Sequence, residues 1–252
     1  MTVQRLREHY ESKYAHESAG SAGTVTLTPY PANRLEACLL YMSRNFNGGN
    51  ILELGGGDGT LARSILKAGI PFDSYVITDL SEIRAASAAR SLGDARFRGF
   101  ALDIEIGLEA LEGRKYAAII MVALIEHLID PITAMKGIRN LLGDDAFVYI
   151  DTPNLAKYTR RVKLLFGRFP STASTDEGLS TYGGKPVDLY DEGHLHYWTF
   201  RSLEEMLSRY CGLTRFERAP YGYPGRLPGR VTHYLARLWP EAFSELAISA
   251  RK

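Results

Sequence analysis

The residues with the clearest chemical potential form a glycine-rich segment at positions 51–60, which reads ILELGGGDGT. An apolar run containing the acid Glu53 leads into the glycines, and a helical pattern begins near Asp58. This order predicts a strand, a tight turn and a helix. Glycine permits positive φ angles and close approach of a ligand to the backbone, and a helix N-terminus presents free N–H groups. Glu53 can accept from ligand hydroxyl or ammonium donors, so the segment predicts a ligand site, although a tight turn without a ligand is the alternative.

The spacing of the glycines separates two classes of ligand. A dinucleotide fingerprint needs a third glycine where this chain has Thr60. The pattern E-x-G-x-G-x-G, formed by Glu53, Gly55, Gly57 and Gly59, instead resembles the first motif of the class I S-adenosylmethionine-dependent methyltransferases. The resemblance implies that these four residues bind S-adenosylmethionine.

Asp79 ends the next apolar run, 20 residues after Gly59. An acid that ends the second strand near this separation is well placed for the ribose hydroxyls of a bound nucleotide. Its position does not distinguish nicotinamide cofactors from S-adenosylmethionine, and capping of the following helix is the alternative role.

A second acid, Asp103, follows the third apolar run. In the family that the glycine motif resembles, an acid here commonly accepts from the adenine amino group, with the residue corresponding to Ile104 beside the ring. A solvated loop aspartate is the alternative for Asp103. The resemblance also places Leu80 and Met121 in the cofactor site.

The segment 125–131, I-E-H-L-I-D-P, is the most specific pattern in the chain. It closely resembles the segment after strand four in quinone-biosynthesis and related small-molecule methyltransferases, where this loop lines the methionine end of the cofactor. The resemblance assigns His127 to the cofactor site, although Glu126 and His127 could instead be hydrogen-bonding residues that shape the loop. The chain departs from the family at two places. The family often has Asp where this chain has Ala117, and it often has Pro-Gly-Gly where this chain has Gly-Asp-Asp at 143–145.

Candidate acceptor-binding residues follow strand five. The resemblance puts Asn154 on the lip of the substrate pocket. The segment 157–168 then has five basic residues and no acid. It could form a cationic wall for an anionic acceptor through Arg160 and Arg161, or a solvated helix whose basic stems cover an apolar face.

Two histidines, His194 and His196, are the candidate catalytic residues. Their segment resembles the H-x-x-x-(Phe/Trp)-(Ser/Thr) stretch that closes many family members, and alternation in an extended chain predicts both on one face. Histidine can serve as a general base near neutral pH. The alternative is an interior histidine that only fixes the loop. Tyr14 and Trp198 could favour a sulfonium through cation–π attraction.

The elements that position these residues alternate between strands and helices. The predicted fold class is α/β: a Rossmann-like, doubly wound, seven-stranded sheet, mostly parallel with an antiparallel last strand. We expect an N-terminal helical cover over residues 1–45 and a methyltransferase domain over 46–252. A lid or substrate insertion is expected at about residues 155–200.

Composition limits the function classes. The chain has 252 residues, a net charge of +1 and two cysteines. These features predict a cytoplasmic protein without a metal site, without nucleic-acid binding and without stable membrane insertion. The expected function is S-adenosylmethionine-dependent methylation of a small-molecule hydroxyl on a sugar, polyketide or quinone-like acceptor. The alternatives are a non-catalytic S-adenosylmethionine-binding regulator and a nicotinamide-dependent oxidoreductase.

Overall fold

The computed structural model describes residues 23–172, 193–222 and 229–252, so Tyr14 and residues 1–22 of the predicted N-terminal helical cover lie outside the described residues. Seven strands form one sheet in the order β3-β2-β1-β4-β5-β7-β6. Strand β7 is antiparallel to both of its neighbours, and the other pairings are parallel. The predicted seven-stranded sheet with an antiparallel last strand is therefore confirmed. The strands are β1 (Asn50–Leu54), β2 (Ser74–Asp79), β3 (Phe97–Ala101), β4 (Tyr116–Val122), β5 (Leu142–Thr152), β6 (Thr214–Arg218) and β7 (Leu246–Arg251).

Helices connect the strands, and polar side chains cap the N-termini of several of them. Asn33 accepts from the backbone N–H of Glu36 at 3.0 Å, and Ser81 and Thr199 cap later helices. Each cap satisfies a backbone donor that has no partner inside its helix. The helices are α1 (Arg34–Asn45), α2 (Thr60–Lys67), α3 (Glu82–Ser91), α4 (Pro131–Leu141), α5 (Tyr158–Leu165), α6 (Phe200–Arg209), α7 (Gly229–Leu238) and α8 (Pro240–Phe243), with 3₁₀ turns at Leu108–Leu111 and Ile125–His127.

The sheet is buried on both faces, as expected for strands whose connections are helical. On one face the apolar sides of α1 and α2 pack on alternate residues of the strands. On the other face α4 and α6 cover the remaining residues. Burial on both sides fixes the register, and it brings the carboxyl ends of the parallel strands to one edge of the sheet.

Strand β5 is longer than predicted at both ends. The sequence predicts it over 147–150, because the polar segment 143–145 is typical of a loop. In the structure Leu142 pairs with Tyr116 before an irregularity in the register. At the other end Asp151 continues the strand, since it pairs with Ala247 of the antiparallel neighbour. The extension places an acidic side chain inside the sheet at its carboxyl edge.

Among the described residues there is no helix that is long and apolar enough to span a membrane.

Candidate functional site

A pocket of about 270 Å³ lies along the carboxyl edge of the sheet. Its wall is built from the segments that follow β1, β2, β3 and β4, which is where open α/β sheets bind their ligands. The lining residues are Gly55, Gly57, Asp79, Leu80, Ser81, Arg84, Leu102, Asp103, Ile104, Glu105, Val122, Ala123, Leu124, His127 and Leu128. Seven of the ten residues predicted to bind the cofactor are therefore part of this wall.

The glycine turn needs its glycines for different reasons. Gly55, Gly57 and Gly59 have φ angles of 71°, 55° and 78°, a region that side chains disfavour. A Cβ atom on Gly57 would lie 3.0 Å from the terminal nitrogen Nη2 of Arg84, in the pocket wall. A Cβ atom on Gly59 would instead lie 3.0 Å from that of Ala88. Gly57 thus keeps the pocket open, whereas Gly59 lets α2 approach α3.

The carboxylate of Asp79 accepts hydrogen bonds from two backbone segments of the pocket wall. Its Oδ2 accepts from the backbone N–H of Gly57 at 3.1 Å, and its Oδ1 accepts from that of Ser81 at 3.0 Å. A carboxylate has about four lone-pair sites. Asp79 can therefore hold the glycine turn and still accept from two ligand hydroxyls.

The far wall of the pocket comes from the segment after β3. Asp103 and the buried Ile104 both line it. Glu105 contributes a contact that the sequence did not reveal, because its Oε1 accepts from the backbone N–H groups of Ile129 and Asp130 at 2.9 and 2.7 Å. This carboxylate ties the β3 loop to the β4 loop and so sets the width of the pocket.

The loop after β4 folds back over the glycine turn. Ala123 has a φ angle of 52°, unusual for a residue with a side chain, and its N–H donates to the backbone oxygen of Asp151 at 2.8 Å. Leu124, the next residue, packs on the glycine turn: a Cβ atom on Gly55 would lie 3.3 Å from its Cδ1 atom. The ring of His127 also lines the pocket, and its Nδ1 lies 2.6 Å from the backbone oxygen of Gly193.

Three predicted cofactor residues lie behind the pocket wall. Met121 is fully buried in the sheet, and Gly59 is the N-cap residue of α2. Glu53 is also buried, and its Oε2 accepts from the hydroxyl of Tyr75 at 2.8 Å. Burial raises the pKa of Glu53 to about 8. Glu53 is therefore placed beneath the glycine turn, with Tyr75 as its partner.

The segment with the candidate catalytic histidines is extended and fastened to the β4 loop. The backbone N–H groups of Leu195 and His196 both donate to the backbone oxygen of Glu126, at 2.8 and 3.1 Å. Leu195 is 49% exposed and Tyr197 is 39% exposed, whereas His194 and His196 are half-buried. The predicted alternation, with the two histidines on one face, is thus confirmed.

His194 is held by two side chains. Its Nδ1 lies 2.7 Å from Oγ1 of Thr172. Its ring also meets the ring of His127 edge-on, with centroids 4.7 Å apart. Ligand atoms of Glu126, His127 and His194 lie within 4.8 Å of one another, a set that could hold a metal ion. The absence of a metal site stays a prediction.

The residues predicted to bind the acceptor lie around Glu245 and the end of β5. The amide of Asn154 donates to the backbone oxygens of Glu241 and Ser244 at 3.0 and 2.9 Å. Nη1 of Arg160 lies 2.9 Å from Oε2 of Glu245, and the arginine is only 2% exposed. Arg160 is therefore a buried ion-pair residue, which neither interpretation of the basic segment predicted.

Lys157 shares the same acid, since its Nζ lies 2.8 Å from Oε1 of Glu245. Burial alone would raise the pKa of Glu245, but the two cations hold it well below its usual range. Arg161 is exposed, and its Nε donates to the backbone oxygen of Ala156. Trp198 pairs with Asn154 through an isolated bridge, and its ring lies 5.8 Å from that of His196.

Comparison with known proteins identifies a family to which the chain is similar. A family model described as a methyltransferase domain matches residues 30–213. A hybrid PKS-NRPS synthetase, apdA, from Emericella nidulans is 28% identical over 123 residues. That match covers 47% of this chain but only 3% of the synthetase, so the chain spans a small part of that curated relative.

Solved structures share the fold at low identity. The N-methyltransferase NodS from Bradyrhizobium japonicum has a TM-score of 0.58 at 13% identity, with 98% of each chain covered. The CMeT domain of the citrinin polyketide synthase has a TM-score of 0.55 at 16% identity, with 86% of this chain and 52% of that chain covered. A SAM-dependent methyltransferase from Archaeoglobus fulgidus has a TM-score of 0.54 at 14% identity, with both chains covered in full.

Proposed function

Because the chain belongs to this methyltransferase-domain family, we propose that it methylates a hydroxyl of a small-molecule acceptor, such as a sugar, a polyketide or a quinone-like metabolite. The methyl donor is S-adenosylmethionine, whose sulfonium already activates the methyl group. The protein has to bind the donor, align the acceptor oxygen with the methyl carbon and exclude water.

The observation that carries the proposal is the pocket at the carboxyl ends of β1 to β4. Asp79 and Asp103 are assigned to the ribose hydroxyls and the adenine amino group, and Gly57 gives the ligand access to the backbone. The β4 loop, through Leu124 and His127, is assigned to the methionine end. With the nucleoside near β2 and β3, the reacting sulfur belongs near β4, and the acceptor approaches from β5.

Two similar proteins support a polyketide-type acceptor. One is a hybrid PKS-NRPS synthetase, and the other is a domain of a polyketide synthase. A chain with this function would receive its acceptor with the hydroxyl already installed, so a hydroxyl-forming or ketone-reducing step precedes it. The half-buried face of the His194 segment is proposed to cover this acceptor, with Trp198 beside it.

Calorimetry tests the cofactor. The purified chain should bind S-adenosylmethionine and S-adenosylhomocysteine and should not bind NADH. Gly57→Ala should weaken S-adenosylhomocysteine binding at least ~30-fold, because its Cβ enters the pocket wall. Gly69→Ala is the matched control, since Gly69 also has a positive φ angle, 68°, but nothing lies within 4 Å of its Cβ position. Both variants should lose about 1–2 kcal/mol of stability from the left-handed backbone.

Methyl transfer separates an enzyme from a non-catalytic binding protein. Label from S-[methyl-³H]adenosylmethionine should pass to at least one hydroxyl acceptor in a mixture of phenols, sugars and polyketide fragments. Tight binding of NADH without binding of S-adenosylmethionine would overturn the proposed function. Binding of the donor without transfer to any hydroxyl would retain the cofactor and overturn the acceptor class.

A further inference from the structure

Several buried polar atoms lack a hydrogen-bond partner, and most of them lie around the carboxyl ends of β4 and β5. Native proteins pair nearly all buried polar groups, so a local group of exceptions calls for an explanation. Within the part of the chain that the structure describes, the atoms in this region without a partner are Oε1 of Glu126, both carboxylate oxygens of Asp151, Nε2 of His196, Nε1 of Trp198 and the hydroxyl of Tyr221.

Contacts join these residues into one region. The hydroxyl of Thr152, beside Asp151, donates to Oε2 of Glu126 at 2.8 Å. The backbone oxygen of Glu126 accepts from His196, as described above. Tyr221 belongs to the same region because its hydroxyl faces the carboxylate of Asp151 and lowers the pKa of that carboxyl, although no hydrogen bond of good geometry joins the two groups. These atoms therefore form one buried polar cluster, hereafter the β5 polar cluster, rather than scattered defects.

The β5 polar cluster lies next to the reacting end of the proposed donor site. The pocket runs along the ends of β3, β2, β1 and β4, and β5 is the next strand in the sheet. Val122 lines the pocket and pairs directly with Asp151 across the two strands. Ala123, also in the lining, donates its N–H to the backbone oxygen of Asp151 at 2.8 Å. Asp151 is thus one strand beyond the donor pocket, on the side from which the acceptor approaches in the proposed function.

We propose that Asp151 is the catalytic base, which accepts the proton of the acceptor hydroxyl as the methyl group is transferred. This inference rests on the proposed function. The new C–O bond uses a lone pair of the acceptor oxygen, the electron pair of the broken C–S bond stays on sulfur, and the hydroxyl proton moves to a carboxylate oxygen of Asp151. A sulfonium and a carboxylate become a neutral thioether and a neutral carboxyl, so atoms and charge balance.

The surroundings of Asp151 suit this task. Its side chain is only 1% exposed, and its closest cation is Arg34, whose Nε lies 3.9 Å from Oδ1. Arg34 and the hydroxyl of Tyr221 favour the ionised form, whereas the carboxylates of Glu245 and Glu126 oppose it. Burial raises the pKa of Asp151 to about 8. A carboxylate in such a site gains strongly from a donor hydroxyl, and a base is most effective when it titrates near the working pH.

His194 is the competing base. Its Nδ1 is engaged with Thr172 and its ring packs on that of His127, which are contacts of a residue that fixes the segment over the acceptor. Its substitution should change the affinity for the acceptor more than the pH dependence of the rate.

The test compares Asp151→Asn with the wild type, using phenol and methyl α-glucopyranoside as probe acceptors between pH 6 and 9.5. The wild-type rate should rise with pH and level off near pH 8. Asp151→Asn should lower kcat at least ~100-fold and abolish this rise, and Asp151→Glu should recover part of the rate. The dissociation constant of S-adenosylhomocysteine should stay within about two-fold in both variants, because Asp151 does not line the donor pocket.

Asp145→Asn is the matched control, since Asp145 lies in the same strand but its side chain is 92% exposed. It should leave the rate and its pH profile unchanged. A readout without turnover is the binding of each probe to the S-adenosylhomocysteine complex at pH 8.5. Asp151→Asn should weaken this binding at least ~10-fold, whereas the control should not.

Three results would overturn the proposal. The first is Asp151→Asn with more than about a third of the wild-type rate and an unchanged pH profile. The second is loss of the pH-dependent rise in His194→Ala but not in Asp151→Asn. Both leave the methyltransferase function intact. The third is a wild-type complex that binds the donor but neither binds nor methylates either probe, which overturns the hydroxyl acceptor and the base together.

Discussion

The carboxylate of Asp79 holds the glycine turn, and in the proposed function it also binds the donor. It accepts from two backbone N–H groups, which fixes its orientation before a ligand arrives. Such an orientation favours binding, because little side-chain freedom is then lost when the ribose hydroxyls add their hydrogen bonds. We therefore expect Asp79→Ala to weaken S-adenosylhomocysteine binding by about 2–3 kcal/mol, or roughly 30- to 150-fold. Calorimetry at pH 7 measures this difference directly.

Asp94→Ala serves as the control for Asp79. Asp94 also accepts from a backbone N–H two residues later and has its own cation, Arg96, but it lies outside the donor pocket. Its variant should bind S-adenosylhomocysteine like the wild type. Equal dissociation constants for Asp79→Ala and the wild type would remove Asp79 from the donor site.

At the scale of elements, Glu245 joins three parts of the chain. It immediately precedes β7, its Oε2 accepts from the backbone N–H of Asn154 at 2.7 Å, and its carboxylate pairs with Lys157 and Arg160. We expect Glu245→Gln to lower the free energy of unfolding by about 3–5 kcal/mol, because it leaves two buried cations without this charge. Urea unfolding at pH 7 measures the loss.

The control for Glu245 is Glu205→Gln. Glu205 lies 3.0 Å from Arg209 in an exposed pair on α6, which should contribute less than about 0.5 kcal/mol. Since the pKa of Glu245 is lowered in the folded chain, the difference between wild type and Glu245→Gln should shrink below about pH 4, where the unfolded chain is already protonated. Similar losses in the two variants would contradict a special role for the buried cluster.

Local signals made much of the fold predictable from the sequence. Strand β4 could be predicted with its observed bounds, because residues 116–122 form an uninterrupted apolar run, which favours a buried strand. The caps Asn33 and Thr199 could also be predicted from local sequence, because a cap binds N–H groups only two or three residues away. Gly57 and Asp79 could be placed because their spacing along the chain determines their meeting at the sheet edge.

Long-range contacts were not predictable from these patterns. Lys157 and Arg160 belong to a basic segment whose sequence is compatible with a solvated helix. Their ion-pair partner in the folded chain, Glu245, lies 88 residues after Lys157. Glu105 was missed because its partners are backbone N–H groups on another loop. For Asp151 the missing information was the antiparallel pairing with β7, which extends β5 and buries the carboxylate.

At the scale of the whole molecule, the order of the strands separates two tasks. The ends of β1 to β4 form the pocket that we propose for the donor, whereas β5 and the segment with His194 and His196 lie on the side proposed for the acceptor. Two buried carboxyls, Glu53 and Asp151, lie beneath these two regions. Within the part of the chain that the structure describes, neither carboxyl has a cation at hydrogen-bond distance, so burial favours the neutral, protonated form of both.

These two carboxyls should give the protein an unusual pH dependence of stability. Burial raises the pKa of each to about 8, above the values near 4 that hold in an unfolded chain. As pH rises from about 4 to about 8, the unfolded chain loses these protons while the folded chain keeps them. The free energy of unfolding should therefore fall across this range, whereas Glu245, already ionised, contributes a constant amount.

Urea unfolding at pH 5, 7 and 8.5 tests this expectation with Glu53→Gln, Asp151→Asn and the double variant. Each substitution removes a group that ionises at a cost, so each should be more stable than the wild type by about 1–3 kcal/mol at pH 8.5 and by less at pH 5. The gains should add in the double variant, because the two sites share no hydrogen-bond partner. Stability curves that run parallel for the wild type and the double variant would show that neither carboxyl keeps its proton in the folded chain.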